Sequence, residues 1–338
     1  MTYGLFPKLL FNDLLRLYNL ISIILYSMKE LYPLLYALLV VRIISRELLV
    51  VGKFISNNIW DTILPSLMIF FTGWIYNGRH WAELPYSLFN AISYAILYIY
   101  TFCISNQLAG IEEDRINKPY RPLVTGLVSI RATYHRMYIY NIVFSLYGLY
   151  LGIFWLSIAW IALSAYLNLW GGSNHWVTKN LVGMSLGTFI LFGVQWHISL
   201  AEGQTISSKL QEYFALMSLW AGFSLPIQDF RDAAGDKLLS RKTLPVSLGD
   251  DKARKILCIH YLFFLPAIFL CAILSVESLR EILQSVKDQM IFIFQLLIHW
   301  LVALRLLKYR APEADHNTYI IYVLLFIAAI PTVYYLKI

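Results

Sequence analysis

The chain has 338 residues, of which 59% are hydrophobic and only 14% are charged. Soluble domains carry about 25% charged residues, so this composition excludes an ordinary soluble protein and indicates a polytopic membrane protein. The formal net charge of +7 suits an anionic partner, but no basic tract is dense enough to indicate nucleic-acid binding. The sequence therefore predicts a lipid-embedded protein with no nucleic-acid partner and no obligate protein partner.

The N-terminal segment differs from the rest of the chain. Its first thirty residues mix apolar positions with charged ones such as Lys8 and Asp13, and they lack a small-residue cleavage site. This pattern is typical of an amphipathic helix at the membrane interface rather than of a signal peptide. The apolar stretch Leu31–Val51 is interrupted by three charged residues. We therefore predict an amphipathic or peripheral helical segment over residues 1–56 and a transmembrane domain over residues 57–338.

Nine segments are apolar over a length close to the ~20 residues that a spanning helix needs. Their bounds, in chain order, are Ile59–Tyr76, Leu84–Ile104, Met137–Phe154, Trp155–Trp170, Leu181–Leu200, Tyr213–Pro226, Ile256–Val276, Met290–Leu307 and Tyr319–Leu336. The sequence thus predicts an all-α polytopic membrane protein with about nine transmembrane helices.

Two short polar stretches follow the second and the sixth of these segments, at residues 106–122 and 228–237. Four predicted crossings separate them, and an even number of crossings returns the chain to the same membrane face. Both stretches are therefore predicted on one face. Lys and Arg are concentrated in the loops that follow these two segments, which by the positive-inside rule predicts that this face is cytosolic.

The second polar stretch carries three aspartates at helical spacing. Asp229, Asp232 and Asp236 stand at i, i+3 and i+7, so on a helix their carboxylates share one face. Like charges so close repel, and a divalent cation removes that cost. Mg²⁺ prefers oxygen ligands and is commonly held by one or two carboxylates plus substrate phosphates. The alternative is a solvated acidic helix end balanced by Arg231 and Lys237.

The first polar stretch offers a second set of oxygen ligands. Asn106, Gly110, Glu113 and Asp114 fall on one predicted helical face. Asn106 supplies a neutral carbonyl oxygen, and the two acids supply charged oxygens. Gly110 leaves room for a ligand or for close helix packing.

Cations lie next to both sets of acids. Lys118 and Arg121 stand on a proline-containing turn after the first acids, and Lys179 enters the fifth predicted span from the same side. Arg grips a phosphate bidentately, and Lys acts on it as a point charge. The alternative for these cations is anchoring at the membrane surface. Arg231 and Lys237 complete the candidate phosphate-binding set.

Together the two stretches supply what departure of a diphosphate from an allylic carbon requires. Metal ions and cations bind the leaving group and stabilise the charge that develops on it. An aromatic cavity shields the allylic cation left behind, and 24 Tyr, 20 Phe and 10 Trp are available to build one. The candidate catalytic residues are Asn106, Asp114, Asp229, Asp232 and Asp236; the candidate metal ligands are these five and Glu113.

This pairing of motifs resembles the UbiA-type intramembrane prenyltransferase superfamily. Members show Asn-x3-Asp-x3-Asp after the second helix and Asp-x2-Asp-x3-Asp after the sixth. The second pattern is matched in full by Asp229, Asp232 and Asp236, and residues 241–246 also look like the family. The resemblance covers about residues 57–338. It implies a bundle of nine helices with a central cavity, Mg²⁺ dependence and an isoprenoid diphosphate substrate.

The first motif departs from this pattern. Asn106 and Asp114 match, but Gly110 stands where aromatic prenyltransferases usually have the middle Asp, and Glu113 is a candidate to compensate. Residues 106–122 look more like the fungal membrane-bound terpene cyclases of the superfamily. The loss of an acid puts the usual metal arrangement of a transferase in doubt.

The resemblance implies a Mg²⁺-dependent terpene cyclase that ionises a linear prenyl diphosphate, farnesyl or geranylgeranyl, and cyclises the carbocation with release of diphosphate. The alternative is a prenyltransferase that moves the prenyl group to an aromatic or other acceptor. A non-catalytic transporter or scaffold is a third possibility, and it leaves the clustered acids unexplained. If the chain is eukaryotic, the predicted location is the endoplasmic reticulum membrane, with the site loops facing the cytosol.

Overall fold

The computed structural model describes the backbone of residues 6–337, and the side chains of residues 32–336 together with those of Arg16 and Asn19. Contacts divide the chain into two units, Met1–Gly52 and Lys53–Ile338. The first helix, α1, spans Phe6–Ile55. The side chains of Lys8 and Asp13, on which the predicted interfacial character depends, lie outside the described residues. The predicted domain boundary after residue 56 stays a prediction.

The elements that follow α1 in the described chain are also helices. After α1 come α2 Leu64–Tyr76, α3 Leu84–Ala109, α4 Ile111–Asn117, α5 Ile130–Tyr150, α6 Phe154–Asn168, α7 Ser185–Ser199, α8 Ser208–Ser224, α9 Asp229–Leu238, α10 Leu244–Leu248, α11 Asp250–Ile259, α12 Leu265–Leu274, α13 Leu279–Gln284, α14 Val286–Lys308, α15 Pro312–Ala329 and α16 Thr332–Lys337. Three π-helical segments, Ile59–Ile63, Val177–Met184 and His260–Phe264, lead directly into α2, α7 and α12.

Local sequence explains where several of these helices begin. Ser129 and Ser207 precede α5 and α8, and each side chain accepts a hydrogen bond from a backbone amide in the first turn. This capping satisfies amides that have no partner within the helix. Proline stands in the first turn of α2, α3 and α15, where its missing N–H costs nothing.

Five stretches of the described chain are long and apolar enough to cross a membrane: Trp81–Ala109, Val177–Ser199, Asp250–Leu274, Val286–Lys308 and Pro312–Leu336. Each coincides with one of the predicted spans. Along α14, large apolar side chains such as Phe294, Leu297 and Leu304 are exposed, as expected for a surface solvated by lipid. The protein is therefore an integral, multi-pass, all-helical membrane protein.

The other four predicted spans also coincide with helices, but these are shorter or more polar. Helix α6 has 15 residues and α2 has 13. Helix α8 has 17 residues and ends before a 3₁₀ turn that contains Pro226. Helix α5 has 21 residues but includes five tyrosines and two arginines. The predicted total of nine spans is therefore not confirmed among residues 6–337.

Candidate functional site

The two polar motifs meet where α4 packs against α9. Lys118 Nζ lies 3.7 Å from Asp232 Oδ2, and the side-chain amide of Asn117 donates to the backbone carbonyl of Asp232 at 3.5 Å. A Cβ atom on Gly235 would stand 2.2 Å from Asn117 Nδ2, so a larger residue there would displace the Asn117 amide. Segments more than a hundred residues apart in sequence thus form one site.

The second motif is a helix of its own. Residues Leu225–Gln228 form a 3₁₀ turn, and α9 begins at Asp229. Asp232 and Asp236 follow within the same helix, which confirms the predicted helical stripe of three carboxylates. Asp229 and Asp236 are buried, so most of this stripe faces protein rather than solvent.

The first motif is split between two helices instead of lying on one continuous helix. Asn106 lies in the last turn of α3, Gly110 interrupts the helix, and Glu113 and Asp114 lie in α4. Glycine has low helix propensity, which favours the break. A Cβ at position 110 would lie 3.1 Å from the carbonyl oxygen of Asn106 and 3.5 Å from Glu113 Oε2. The Glu113 carboxylate therefore occupies space next to the position where an acidic side chain was expected.

Arg121 holds the first motif together. Its Nη1 donates to both carboxylate oxygens of Asp114, at 2.7 and 2.8 Å, and to Asn106 Oδ1 at 3.3 Å. Asn168 on α6 accepts a bond from the Asn106 amide at 3.2 Å. The Nε of Arg121 is buried without a hydrogen-bond partner. One donor of this guanidinium is thus uncommitted beside the acids.

Arg241 bridges the two motifs, a role that sequence reasoning missed. Its Nη1 pairs closely with Glu113 Oε2 and lies 3.5 Å from Asp236 Oδ1. The neighbouring Lys242 pairs through its backbone with residues 174–176, where Lys242 N donates to Asn174 O at 2.7 Å. The loop after α9 is therefore fixed against the segment that leads into α7.

That segment delivers a further cation, as predicted. Lys179 Nζ lies 2.7 Å from Asp229 Oδ1, and the amide of Asn180 donates to Asp229 Oδ2 at 3.2 Å. Asp229 is fully buried, so this pairing compensates a charge that water does not solvate.

The last two predicted phosphate ligands, Arg231 and Lys237, lie in different surroundings from each other. Arg231 Nε lies 3.6 Å from Asp232 Oδ2, and its guanidinium covers the ring of Tyr319 at 4.4 Å. Lys237 is exposed and does not line the cavity described below. The structure therefore brings Arg231 to the site but not Lys237.

The acids of the site have shifted proton affinities. Burial raises the pKa of Asp114 above its ordinary value, against the opposing effect of Arg121. Burial also raises the pKa of Asp236, and the charges of Asp229 and Glu113 add to this against the opposing effect of Lys179. Burial acts in the same direction on Asp232, but Lys118, Arg231 and Lys179 outweigh it and lower its pKa. The stripe thus contains carboxylates of unequal basicity.

A cavity of about 220 Å³ opens from this polar cluster. A single water needs only about 15 Å³ by this measure, so the space is large enough for a molecule and is not a packing defect. Charged residues of both motifs line it, together with aromatic and aliphatic side chains. The aromatic lining consists of Tyr98, Phe102, Trp160, Tyr319, Tyr322 and Phe326.

The residues present fit Mg²⁺ by the chemistry of their donors. The candidate ligands are carboxylate and amide oxygens, and Asp236 Oδ2 is buried without a hydrogen-bond partner. Among the described residues no three His, Cys, Asp or Glu side chains converge as a ready metal cluster. The acids instead pair with Lys and Arg. Since Mg²⁺ is commonly held by one or two carboxylates and substrate phosphates, a preformed cluster is not required.

Comparison with known proteins identifies the family. The model of the UbiA prenyltransferase family matches residues 63–330. The chain belongs to this family. A solved structure of a UbiA homologue from Archaeoglobus fulgidus with GPP and Mg²⁺ has a TM-score of 0.58 and covers 84% of this chain and 99% of its own, at 14% identity. This UbiA family member therefore has the fold of those proteins.

Two curated relatives from Hericium erinaceus are similar in sequence. The chain is 32% identical over 284 residues to the diterpene cyclase eriG, covering 84% of this chain and 87% of that protein. It is 30% identical over 230 residues to the polyprenyl transferase eriF, covering 68% and 74% respectively. Both relatives are enzymes by name, and this UbiA family member is an enzyme of the same family.

Proposed function

We propose that this UbiA family member is a membrane-bound terpene cyclase. It ionises a linear prenyl diphosphate, farnesyl or geranylgeranyl, with Mg²⁺, and cyclises the carbocation as diphosphate is released. The observation that carries the proposal is a single cavity with two kinds of lining. Acids and cations of both motifs line it together with six aromatic side chains and several aliphatic ones.

The polar end is suited to a diphosphate and its counter-ions. Asp229, Asp232 and Asp236 with Asn106, Glu113 and Asp114 are the residues that would hold Mg²⁺, which supplies charge neutralisation of the leaving group. Lys118, Arg121, Lys179 and Arg231 are proposed to bind the phosphate oxygens. The uncommitted Nε of Arg121 supports this assignment. Charge that develops on the leaving oxygen meets donors that are already in place.

The apolar wall is suited to a carbocation. Trp160 stacks on Tyr98 with 3.7 Å between ring centroids and 12° between planes. The polar tips of both rings are occupied, because Trp160 Nε1 donates to Tyr98 O and Tyr98 Oη donates to Gly187 O, each at 2.8 Å. These two hydrogen bonds fix the orientation of both rings. The aromatic faces stabilise positive charge electrostatically.

The glycine at position 110 supports cyclisation rather than transfer to an acceptor as the proposed reaction. Glycine replaces an acid there, and the Glu113 carboxylate beside it is paired with Arg241. The cyclase eriG is similar over more of this chain than the transferase eriF is. The likeness to eriF makes transfer of the prenyl group to an acceptor the second candidate function.

The setting of this reaction follows from the membrane fold. We infer that the substrate binds from the face on which α4 and α9 meet, and that this face is cytosolic because Lys and Arg are concentrated there. For a eukaryotic chain, the endoplasmic reticulum is the proposed membrane. Prenyl diphosphate and lipid are the proposed partners, with no obligate protein subunit.

The test is an incubation without acceptor. Membranes or purified enzyme receive Mg²⁺ and prenyl diphosphates of several lengths, and the products are analysed for hydrocarbons. We expect one length to give a cyclic hydrocarbon and stoichiometric diphosphate. Only linear alcohols or unchanged substrate at every length would refute the cyclase. A product whose mass equals prenyl plus an added acceptor would establish the transferase.

A further inference from the structure

A carboxylate outside both motifs also lines the cavity. Asp61 lies in the π-helical segment Ile59–Ile63 that leads into α2, and it lines the cavity with Tyr319 of α15. Tyr319 Oη donates to Asp61 Oδ2 at 2.8 Å. These residues are 258 positions apart, so the pair exists only in the folded protein.

The surroundings of Asp61 differ from those of the other acids in the cavity wall. Glu113 is paired with Arg241, and Asp232 with Lys118 and Arg231. Asp61, in contrast, has no ion-pair partner among the described residues. A proton acceptor has to be an acid that no permanent cation occupies.

Three neutral donors contact the Asp61 carboxylate. Besides Tyr319, Asn58 Nδ2 donates to Oδ1 at 3.3 Å and Thr62 Oγ1 at 3.1 Å. The amide of Asn58 is oriented in turn by the thiol of Cys103, which donates to its Oδ1 at 3.3 Å. Three donated hydrogen bonds fix the direction of this carboxylate, which is what a positioned base needs.

The pair adjoins the polar end of the cavity. Arg231 covers the ring of Tyr319 at 4.4 Å and contacts Asp232. A prenyl chain whose diphosphate is bound by the two motifs would therefore extend past Asp61. In a class of reaction that ends in a neutral hydrocarbon, some group there must remove a proton from the final carbocation.

We propose that Asp61 is the base that ends the reaction, with Tyr319 as the residue that positions it. A C–H bond next to the cationic carbon breaks, and its electron pair forms the final C=C bond. The proton goes to Asp61, which becomes a neutral acid, and it leaves to water when product and diphosphate depart. No oxidant or second substrate is needed. This inference rests on the cyclase function proposed above.

The experiment compares wild type with Asp61→Asn, which keeps the size of the side chain and removes the acceptor charge. The measured quantity is the ratio of the wild-type hydrocarbon to released diphosphate. We expect diphosphate release to continue while this ratio falls about tenfold or more, since a general base typically contributes at least that much. The missing product should appear as alcohols formed by capture of water or as isomers with a different double bond.

Two outcomes would overturn the assignment. One is a smaller fall of the ratio in Asp61→Asn. The other is a folded Asp61→Asn enzyme that no longer releases diphosphate, because Asp61 would then act at ionisation. Asp288→Asn is the matched control, since Asp288 is a buried carboxylate away from the cavity and should leave the ratio unchanged.

A further variant keeps the test decisive if Asp61→Asn fails to fold, as judged by its melting curve in detergent. Tyr319→Phe removes one hydroxyl and keeps the ring under Arg231. We expect the same shift of products, smaller in size, and an unchanged ratio would refute the proposal. Absence of hydrocarbon from wild type itself would refute the cyclase function instead, so the two failures are distinguishable.

Discussion

Replacement of Gly235 by alanine should separate the two polar motifs. The new Cβ would lie 2.2 Å from Asn117 Nδ2 and 2.7 Å from its Cγ. Ordinary van der Waals contact begins at 3.4 Å, so the amide has to withdraw by about 1.2 Å. Since Asn117 is the last residue of α4, its withdrawal loosens the helix that carries Glu113 and Asp114 from the helix that carries the three aspartates.

This displacement is large enough to decide activity. Misplacement of a site by about 1 Å costs about 100-fold in rate, and we expect a loss of that order for Gly235→Ala. Stability should change less. Alanine gains about 1 kcal/mol over glycine in a helix, against about 1–3 kcal/mol for overpacking. The turnover rate, and not the melting temperature, is therefore the informative measurement.

The assay is the initial rate of diphosphate release for wild type, Gly235→Ala, Asn117→Ala and the double variant. Alanine at position 117 removes the amide that the new methyl group strikes, so the two changes should be strongly non-additive. We expect the double variant to return to within about threefold of Asn117→Ala alone. A Gly235→Ala enzyme with the wild-type rate, or a double variant as slow as Gly235→Ala, would refute the reasoning.

Four other outcomes are expected. Asp236→Asn should lower the rate of diphosphate release at least about 100-fold, because it removes a buried oxygen ligand. Asp288→Asn should release diphosphate at nearly the wild-type rate. Equal rates for the two variants would speak against a metal role for Asp236. Removal of Mg²⁺ with a chelator should stop release and Mg²⁺ should restore it; full activity in chelator would contradict metal dependence. Arg121→Lys should raise KM for the diphosphate about tenfold with a smaller change in kcat, since lysine lacks the planar donor fork; an unchanged KM would show that Arg121 does not hold phosphate. Arg254→Met should lower the free energy of unfolding by about 3–5 kcal/mol. Arg254 pairs with the buried carboxylate of Asp315 at 2.7 Å, and methionine would leave this carboxylate without a cation. An unchanged melting temperature would argue against this.

The features predicted from sequence were those set by local spacing. The stripe of Asp229, Asp232 and Asp236 depends only on helical periodicity, and the long apolar segments depend only on composition. Parity of crossings predicted only that the two motifs share a membrane face, and that prediction still depends on four crossings that are not all confirmed. The total of nine spans is not confirmed among the described residues, because α5 is rich in tyrosine and α6 has only 15 residues.

The features that sequence did not reveal depend on tertiary contacts. Arg241 was noted in a positively charged loop and in the family-like stretch 241–246, but no role followed from either. Its bridge between Glu113 and Asp236 exists because that loop folds back over both motifs. Asp61 stood inside an apparent span, far from its partner Tyr319. Gly110 was judged to leave space, but the structure shows that Glu113 is already beside it. The sequence did offer one signal for Asp61. A carboxylate within an apolar, membrane-spanning segment is energetically costly, so its presence there indicates a functional role.

The ion pairs of the site have a consequence for the order of binding. In this structure Asp114, Asp229 and Glu113 are each matched to a cation of the same chain. A diphosphate that arrived with Mg²⁺ would offer both sides a new partner at once. The lysines and arginines would exchange carboxylates for phosphates, and the carboxylates would exchange these cations for the metal. Binding of Mg²⁺ alone would leave the lysines and arginines without an anionic partner, and binding of diphosphate alone would leave the carboxylates without a cationic one. We therefore expect metal and substrate to bind with strong positive cooperativity, so that the enzyme holds little Mg²⁺ while idle.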